Sequence, residues 1–200
     1  MKKRLAILLS GRGSNFEAIA ENVAAGRIPA EIAVVISNRP GAEGLERAKR
    51  RGLPAIVVPS KGLEREEYDR LLVAELQQRR VDLVCLAGFM RLLSPVFVRA
   101  LPSRVLNIHP SLLPAFPGLE AQRQALEHGV KLTGCTVHFV DENLDAGPII
   151  VQAAVPVLDG DTVETLSQRI LEQEHSIYSE AINLVLGEQF QIEGRKVIRR

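Results

Sequence analysis

An asparagine and a histidine lie two positions apart in the segment Asn107-Ile108-His109-Pro110. The apolar residues around them predict a strand, and alternate residues of a strand share one face. Pro110 is expected to end this strand, which places both polar side chains at its carboxyl end, where open α/β sheets bind ligands. An amide beside an imidazole can stabilise a developing oxyanion and move a proton. A histidine satisfied by a buried hydrogen bond is the competing interpretation, which the pair alone favours.

An acidic loop at residues 141–148 lies between two predicted strands. A carboxylate of this loop near His109 would hold the imidazole in one orientation and favour its protonated form. Asp141, Glu142 and Asp145 can each do this, and their spacing does not choose among them. A turn held by Asx hydrogen bonds is the commoner interpretation of such a composition.

A glycine loop, Ser10-Gly11-Arg12-Gly13-Ser14-Asn15, connects a predicted strand to a predicted helix. Ser14 and Glu17 have the spacing of a capping box, and the free N–H groups of a helix start bind anions. Phe16 occupies the third glycine position of a dinucleotide fingerprint, and no P-loop lysine follows. The loop therefore favours a phosphomonoester over a dinucleotide or a triphosphate. A plain strand–helix turn is an equally weighted alternative.

Other polar residues receive no chemistry from their spacing. His138 is expected to be an ordinary strand residue, and Glu174 is expected on a solvated helix face. No set of histidine, cysteine and carboxylate side chains has convincing metal-ligand spacing, so no metal is expected.

Strand and helix patterns alternate along the chain, which predicts an α/β fold. We expect a Rossmann-like open twisted sheet, mostly parallel with an antiparallel C-terminal part, and helices on both faces. Predicted strands are 5–9, 32–37, 55–58, 83–89, 105–109, 132–140 and 149–157, and predicted helices are 14–25, 42–51, 64–80, 119–128 and 162–186.

The buried side of helix 64–80 is expected to consist of Leu71, Leu72, Ala74 and Leu76. Asp161 and Glu164 are expected to form the capping box of the last helix. A turn at Glu193-Gly194 predicts a C-terminal hairpin.

The chain has 200 residues, with 25 basic and 24 acidic side chains and a net charge of +1. Its hydrophobic fraction of 46% excludes a disordered chain, and its charge argues against bulk nucleic-acid binding. The apolar runs are strand-sized, and the first one stops at Ser10, so neither a membrane segment nor export is expected. Cys85 and Cys135 lie in apolar stretches and are expected to be reduced residues of a cytoplasmic protein.

Taken together, these motifs resemble the phosphoribosylglycinamide formyltransferases of the formyltetrahydrofolate-dependent formyltransferase family. The resemblance extends from Ala6 to about Ile182. It rests on five segments: SGRGSN at 10–15, AGFMRLLSP at 87–95, LNIHPSLLPAFPG at 106–118, GCTVHFVDENLDAGPII at 134–150 and QEHSIY at 173–178. The wider family shares NIHPSLLP and LDxGP, whereas the glycine loop and compact length select this member.

The resemblance implies transfer of a formyl group from 10-formyltetrahydrofolate, as co-substrate, to the amine of glycinamide ribonucleotide in de novo purine biosynthesis. It implies Asn107, His109 and Asp145 as catalytic residues. The implied ribonucleotide-binding residues are Gly13, Ser14, Asn15 and Glu174. The implied folate-binding residues are Arg65, Met90, Arg91, Leu92, Leu93, Asn107, Asp141, Glu142, Asn143, Leu144 and Asp145.

The sequence has no repeats and no low-complexity linker, so one domain with two functional halves is expected over residues 1–200. Its nucleotide-binding half is about 1–105, and its catalytic and folate-binding half is about 106–200. The expected partners are small-molecule substrates, with no nucleic acid and no membrane, and the expected state is a monomer or homodimer. Arg12 departs from the smaller polar residue of the family pattern.

Three other functions compete with this one. A formyltetrahydrofolate deformylase shares the catalytic trio but usually carries an N-terminal regulatory domain, for which a glycine loop at residue 10 is expected to leave no room. A methionyl-tRNA formyltransferase would need a C-terminal nucleic-acid-binding extension, which is not expected here. A non-catalytic phosphate-ligand sensor would not need all three polar residues.

Overall fold

The computed structural model of the chain describes residues 2–200. It contains two compact units: the first extends to Leu106 and the second covers Asn107–Arg200. The predicted class is confirmed, because the fold is α/β with mostly parallel strands, antiparallel strands toward the C-terminus, and helices packed around them.

The first unit is built from parallel strands joined by helices. Its strands are β1 (Lys3–Leu9), β2 (Ala30–Ser37), β3 (Ala55–Val57) and β4 (Leu83–Leu86), in the order β3-β2-β1-β4. Its helices are α1 (Ser14–Ala24), α2 (Glu43–Arg50), α3 (Arg65–Gln78) and α4 (Pro95–Ala100). The run Leu5–Leu9 is fully buried, as expected for a parallel strand that is covered on both faces. Strand β5 (Val105–His109) has the predicted bounds and contains the boundary between the units.

The second unit has mixed strand directions. It comprises α5 (Ala121–Glu127), β6 (Leu132–Phe139), β7 (Ile149–Pro156), α6 (Val163–Leu186), β8 (Phe190–Glu193) and β9 (Lys196–Arg199). Strand β6 pairs with β7 antiparallel, β7 with β9 parallel, and β9 with β8 antiparallel. The predicted C-terminal hairpin is therefore present as β8 and β9. Helix α6 packs on β6 and β7.

The predicted start of α1 is wrong in detail. Gly13, at φ 77°, is the N-cap, and no side chain caps the helix. Glu17, expected in a capping box, accepts from the Arg51 guanidinium at 2.5 Å instead. The left-handed backbone that Gly13 permits begins the helix without a serine cap.

The predicted start of α6 is also wrong in detail. Thr162 is the N-cap and forms a capping box with Thr165. Asp161 accepts from the Leu158 N–H at 2.7 Å and from both terminal nitrogens of Arg169. Its carboxylate is occupied by these partners, so the box forms one residue later than expected.

The predicted buried side of α3 is only half right. Leu72 and Leu76 are buried, whereas Leu71 is 47% exposed and Ala74 is also exposed. Tyr68 and Asp69 are buried instead. These two residues lie on the same face of the helix as Leu72, so the buried stripe is rotated toward polar positions that an apolar pattern does not mark.

Within residues 2–200, no helix is long and apolar enough to cross a membrane. Nor does the range contain a group of three or more histidine, cysteine, aspartate or glutamate residues that could hold a metal ion.

Candidate active site

His109 ends β5 and is buried between two hydrogen-bond acceptors. Its Nε2 lies 2.8 Å from the Phe116 carbonyl oxygen, and its Nδ1 lies 3.4 Å from Oδ2 of Asp145. A carbonyl oxygen and a carboxylate oxygen can only accept, so Nε2 carries a proton. A second proton on Nδ1 would turn a repulsive contact with Asp145 into an ion pair. Acceptor oxygens therefore face both ring nitrogens of His109.

Asp145 is the member of the acidic loop that lies beside His109. Its Oδ2 accepts a hydrogen bond from the Gly118 N–H at 2.8 Å, and its backbone is left-handed at φ 48°. The Asp141 side chain instead accepts from the Asn143 N–H at 2.9 Å, which is an Asx turn. Both expectations for this loop are thus met by different residues, and the geometry chooses Asp145 for the imidazole.

Asn107 contacts His138, a residue that was expected to be an ordinary strand residue. Its Nδ2 lies 3.2 Å from Nε2 of His138, and Nδ1 of His138 lies 2.9 Å from the Phe139 carbonyl oxygen. Burial lowers the pKa of His138 and outweighs the Phe139 carbonyl and the Asp145 carboxylate, which act in the opposite direction. The neutral ring donates from Nδ1 and accepts at Nε2, so it fixes which way the Asn107 amide points.

The histidine site consists of Asn107, His109, His138 and Asp145. Oδ1 of Asp145 lies 3.8 Å from Nε2 of His138, which is too long for a hydrogen bond. Because His138 is neutral, that contact is not an ion pair either. The site therefore holds two buried histidines with opposite surroundings: acceptors face both nitrogens of His109, whereas an amide donor faces Nε2 of His138.

The segment that supplies the Phe116 carbonyl is itself fixed by buried hydrogen bonds. The Ser111 hydroxyl lies 2.5 Å from the Ala115 carbonyl oxygen and 3.2 Å from that of Phe116. Thr136 donates to the Ser111 carbonyl at 2.7 Å, and Gln152 donates to Thr136 at 2.9 Å. The Leu113–Pro114 peptide in this segment is cis. Strands β6 and β7 thus hold in place the carbonyl that faces His109.

The glycine loop lies at the carboxyl end of β1, in the first unit. Together with Arg39, Gly88 and Met90 it lines a cavity of about 330 Å³. The Gly44 N–H donates to the Gly11 carbonyl at 3.0 Å, and a Cβ atom on Gly13 would lie 2.9 Å from the Gly44 Cα atom. The loop therefore passes α2 at a distance that only glycines permit.

The chemistry of this cavity suits an anion. The start of α1 supplies backbone N–H groups, and Arg12 and Arg39 supply positive charge. None of the lining residues, all within the described chain, is acidic.

Three of the residues expected to bind folate in the first unit lie on α3 or contact it. Arg65 donates to the Leu93 carbonyl oxygen, and the Arg91 guanidinium lies 4.6 Å from the centre of the Tyr68 ring. Met90 and Leu92 are 58% and 51% exposed, whereas Leu93 is buried. In the second unit, Leu144 of the acidic loop is 55% exposed.

Glu174 is buried on α6, so the expectation of a solvated helix face is wrong. Its carboxylate adds to the burial that raises the pKa of the Cys135 thiol to about 12. Cys135 is therefore an inert, protonated core residue, and neither cysteine within residues 2–200 forms a disulfide.

The fold is α/β, and its second unit places Asp145 beside His109 and the Asn107 amide beside His138, with Asn107 and His109 at the end of β5. The sequence pattern of the formyl transferase family matches residues 3–182, and the chain belongs to that family.

Three named proteins are similar to this chain over most of its length. The structure is similar to that of glycinamide ribonucleotide transformylase 1 from Symbiobacterium toebii, with a TM-score of 0.97, 57% identity, and coverage of 99% of this chain and 94% of that one. Phosphoribosylglycinamide formyltransferase of Escherichia coli (strain K12) is 46% identical over 87% of this chain and 82% of its own length. The trifunctional purine biosynthetic protein adenosine-3 of Drosophila melanogaster is 52% identical over 93% of this chain, which spans 14% of that longer relative.

Proposed function

We propose that this chain transfers the formyl group of 10-formyltetrahydrofolate to the amine of glycinamide ribonucleotide, a step of de novo purine biosynthesis. The observation that carries the proposal is the histidine site, in which the Asp145 carboxylate and the Phe116 carbonyl face the two ring nitrogens of His109 and His138 holds the Asn107 amide. The named relatives support the same reaction.

The chemistry needs a stabilised oxygen and a proton transfer. The substrate amine attacks the formyl carbon, a C–N bond forms, and the carbonyl electron pair moves onto oxygen. Asn107 donates a hydrogen bond to this oxygen, and the His109 imidazolium attracts its negative charge. The bond from carbon to the folate nitrogen then breaks, while the amine loses a proton and the folate nitrogen gains one. Removing one such donor typically costs about 100-fold or more in rate.

Asp145 supports this step through His109. Its carboxylate lies 3.4 Å from Nδ1 and is held by the Gly118 N–H. A fixed carboxylate at that distance keeps the imidazole ring from rotating. His138 acts similarly on Asn107, because a neutral acceptor fixes the amide donor.

The remaining residues bind the two substrates. The phosphate of the ribonucleotide is proposed to bind Gly13, Ser14 and Asn15, with Glu174 contributing to recognition of the same substrate. The folate is proposed to bind Arg65, the segment 90–93 and the acidic loop 141–145. The formyl group on an aryl amine nitrogen is already electrophilic, so the proposed reaction uses no metal ion. We place it in the cytoplasm.

One assay tests the proposal. The purified protein is mixed with 10-formyltetrahydrofolate, with and without glycinamide ribonucleotide, and folate absorbance is followed. We expect turnover that requires the amine. Equal turnover without the amine would identify a deformylase instead, and no turnover in either mixture would leave a non-catalytic ligand-binding protein.

A further inference from the structure

Three residues on one face of α3 hold the segment 91–94. Arg65 donates to the Leu93 carbonyl oxygen, and Oδ2 of Asp69 accepts from the Ser94 N–H at 2.5 Å. Between these two anchors, the Tyr68 ring lies under the Arg91 guanidinium at 4.6 Å. Helix positions i, i+3 and i+4 lie on one face, so all three residues contact the segment 91–94 from the same side of α3.

The Arg91 guanidinium lies over the aromatic ring of Tyr68. Within residues 2–200 it forms no ion pair, and its side chain is half-buried against Tyr68. A guanidinium over an aromatic face is attracted by the negative face of the ring without being neutralised. The arrangement therefore holds a full positive charge in one place and leaves it available to an anion.

The tyrosine contributes its ring and not its hydroxyl. Tyr68 is fully buried, and its hydroxyl oxygen is without a hydrogen-bond partner. Burial also raises the pKa of Tyr68, so the hydroxyl stays protonated and uncharged. A buried hydroxyl that lacks a partner gives no stability. What makes this position useful is thus a flat, rigid surface under a cation.

We propose that Tyr68 is a positioning residue, which holds Arg91 for the glutamate carboxylates of the folate. The inference rests on the proposed function. The pterin and aminobenzoyl parts of a folate are uncharged, so its only anionic part is the glutamate. Guanidinium groups pair with carboxylates through two parallel hydrogen bonds, which requires a fixed guanidinium plane. Stacking on the Tyr68 ring supplies that plane.

Binding of tetrahydrofolate and of tetrahydropteroate, which is the same molecule without glutamate, tests the inference by calorimetry. Tyr68→Leu removes the ring, and we expect it to weaken tetrahydrofolate binding by about 3- to 10-fold, the range of a partly shielded cation–π contact. Tetrahydropteroate binding should not change. Tyr68→Phe keeps the ring and is the conservative variant, which should retain tetrahydrofolate affinity.

A double-mutant cycle separates positioning from packing. If Tyr68 acts through Arg91, Tyr68→Leu adds no further loss to Arg91→Met. Because Tyr68→Leu could disturb the core, a second variant replaces Tyr68 by a trifluorinated phenylalanine, which keeps the shape and weakens the negative ring face. It should weaken tetrahydrofolate binding as Tyr68→Leu does.

Three results would overturn the inference: unchanged affinities, equal losses for both ligands, or additive losses in the cycle. A wild-type protein that does not bind tetrahydrofolate would overturn it as well. A wild-type protein that binds tetrahydrofolate without amine-dependent formyl transfer would contradict the proposed function alone, since the binding measurements would still decide the role of Tyr68.

Discussion

The glycine loop lies at the carboxyl end of β1 and the histidine site lies at the carboxyl end of β5, yet the two regions present different chemical groups. The loop offers backbone N–H groups, a close approach of two glycines, and the exposed guanidinium groups of Arg12 and Arg39. The histidine site offers two buried histidines and two partly buried side chains, each with a fixed partner. Backbone geometry therefore controls the first region, and the identity of single groups controls the second.

The largest expected effect separates the two regions by function. His109→Ala removes the proposed imidazolium, and turnover should fall by about 100-fold or more. Binding of glycinamide ribonucleotide, measured by calorimetry, should persist, because its phosphate is proposed to bind the glycine loop. Turnover near the wild-type rate would remove His109 from the mechanism.

A glycine replacement should have the next largest effect, and it acts through the backbone. Gly13→Ala places a Cβ atom 2.9 Å from the Gly44 Cα atom at a residue with φ 77°. Overpacking and left-handed strain together should lower the free energy of unfolding by about 1–3 kcal/mol, and the ribonucleotide KM should rise.

Gly11→Ala is the matched control for this stability change. No atom lies within 4 Å of a Cβ atom built there, so its melting temperature should equal that of the wild type. If both variants unfolded at the same temperature, the close approach of Gly13 to α2 would not constrain the loop.

The sequence predicted the bounds of most strands and helices to within about two residues, although strand 83–89 is shorter in the structure (β4, Leu83–Leu86), and it was less successful with the caps and buried faces of helices. Strand β5 has its expected bounds because an apolar run and Pro110 mark both ends. The cap of α6 was misplaced because Asp161 and Thr162 are both suitable N-cap residues, and the contact of Asp161 with Arg169 leaves the cap to Thr162. Local preference offers several caps, and tertiary contacts choose one.

The histidine site shows the same division. The pair Asn107 and His109 could be placed from the two-residue period of a strand. Asp145 could not be chosen over Asp141, because the choice depends on the Gly118 N–H and on a left-handed backbone. His138 was missed although it shares a strand face with Thr136, a polar pattern that is unusual on a buried strand.

A smaller effect concerns stability against pH, and it comes from His138. Burial lowers the pKa of His138 below its ordinary value of 6.5, so the folded state binds its proton less readily than the unfolded state. The resulting stability is present above pH 6.5 and is lost as pH falls toward the lowered pKa, with a slope of at most about 1.4 kcal/mol per pH unit.

His138→Gln tests this dependence, because a glutamine oxygen can still accept from Asn107 and does not titrate. We expect thermal unfolding to depend less on pH below 6.5 in the variant than in the wild type. Parallel curves for the two proteins would contradict a buried neutral imidazole.

The smallest expected effect belongs to the exposed charges of the glycine loop. Arg12 and Arg39 line the same cavity. A guanidinium near a bound phosphate would strengthen phosphate binding by electrostatic attraction. Arg12→Met should raise the ribonucleotide KM by about 2- to 5-fold at low salt, and the difference should shrink as added salt screens the charge. Arg50→Met on α2 removes an exposed charge that does not line the cavity, and it is the matched control. Equal salt dependence in the two variants would mean that Arg12 contributes only to the net charge of the protein, and the contrast between a region of backbone donors and a region of buried groups would then hold without it.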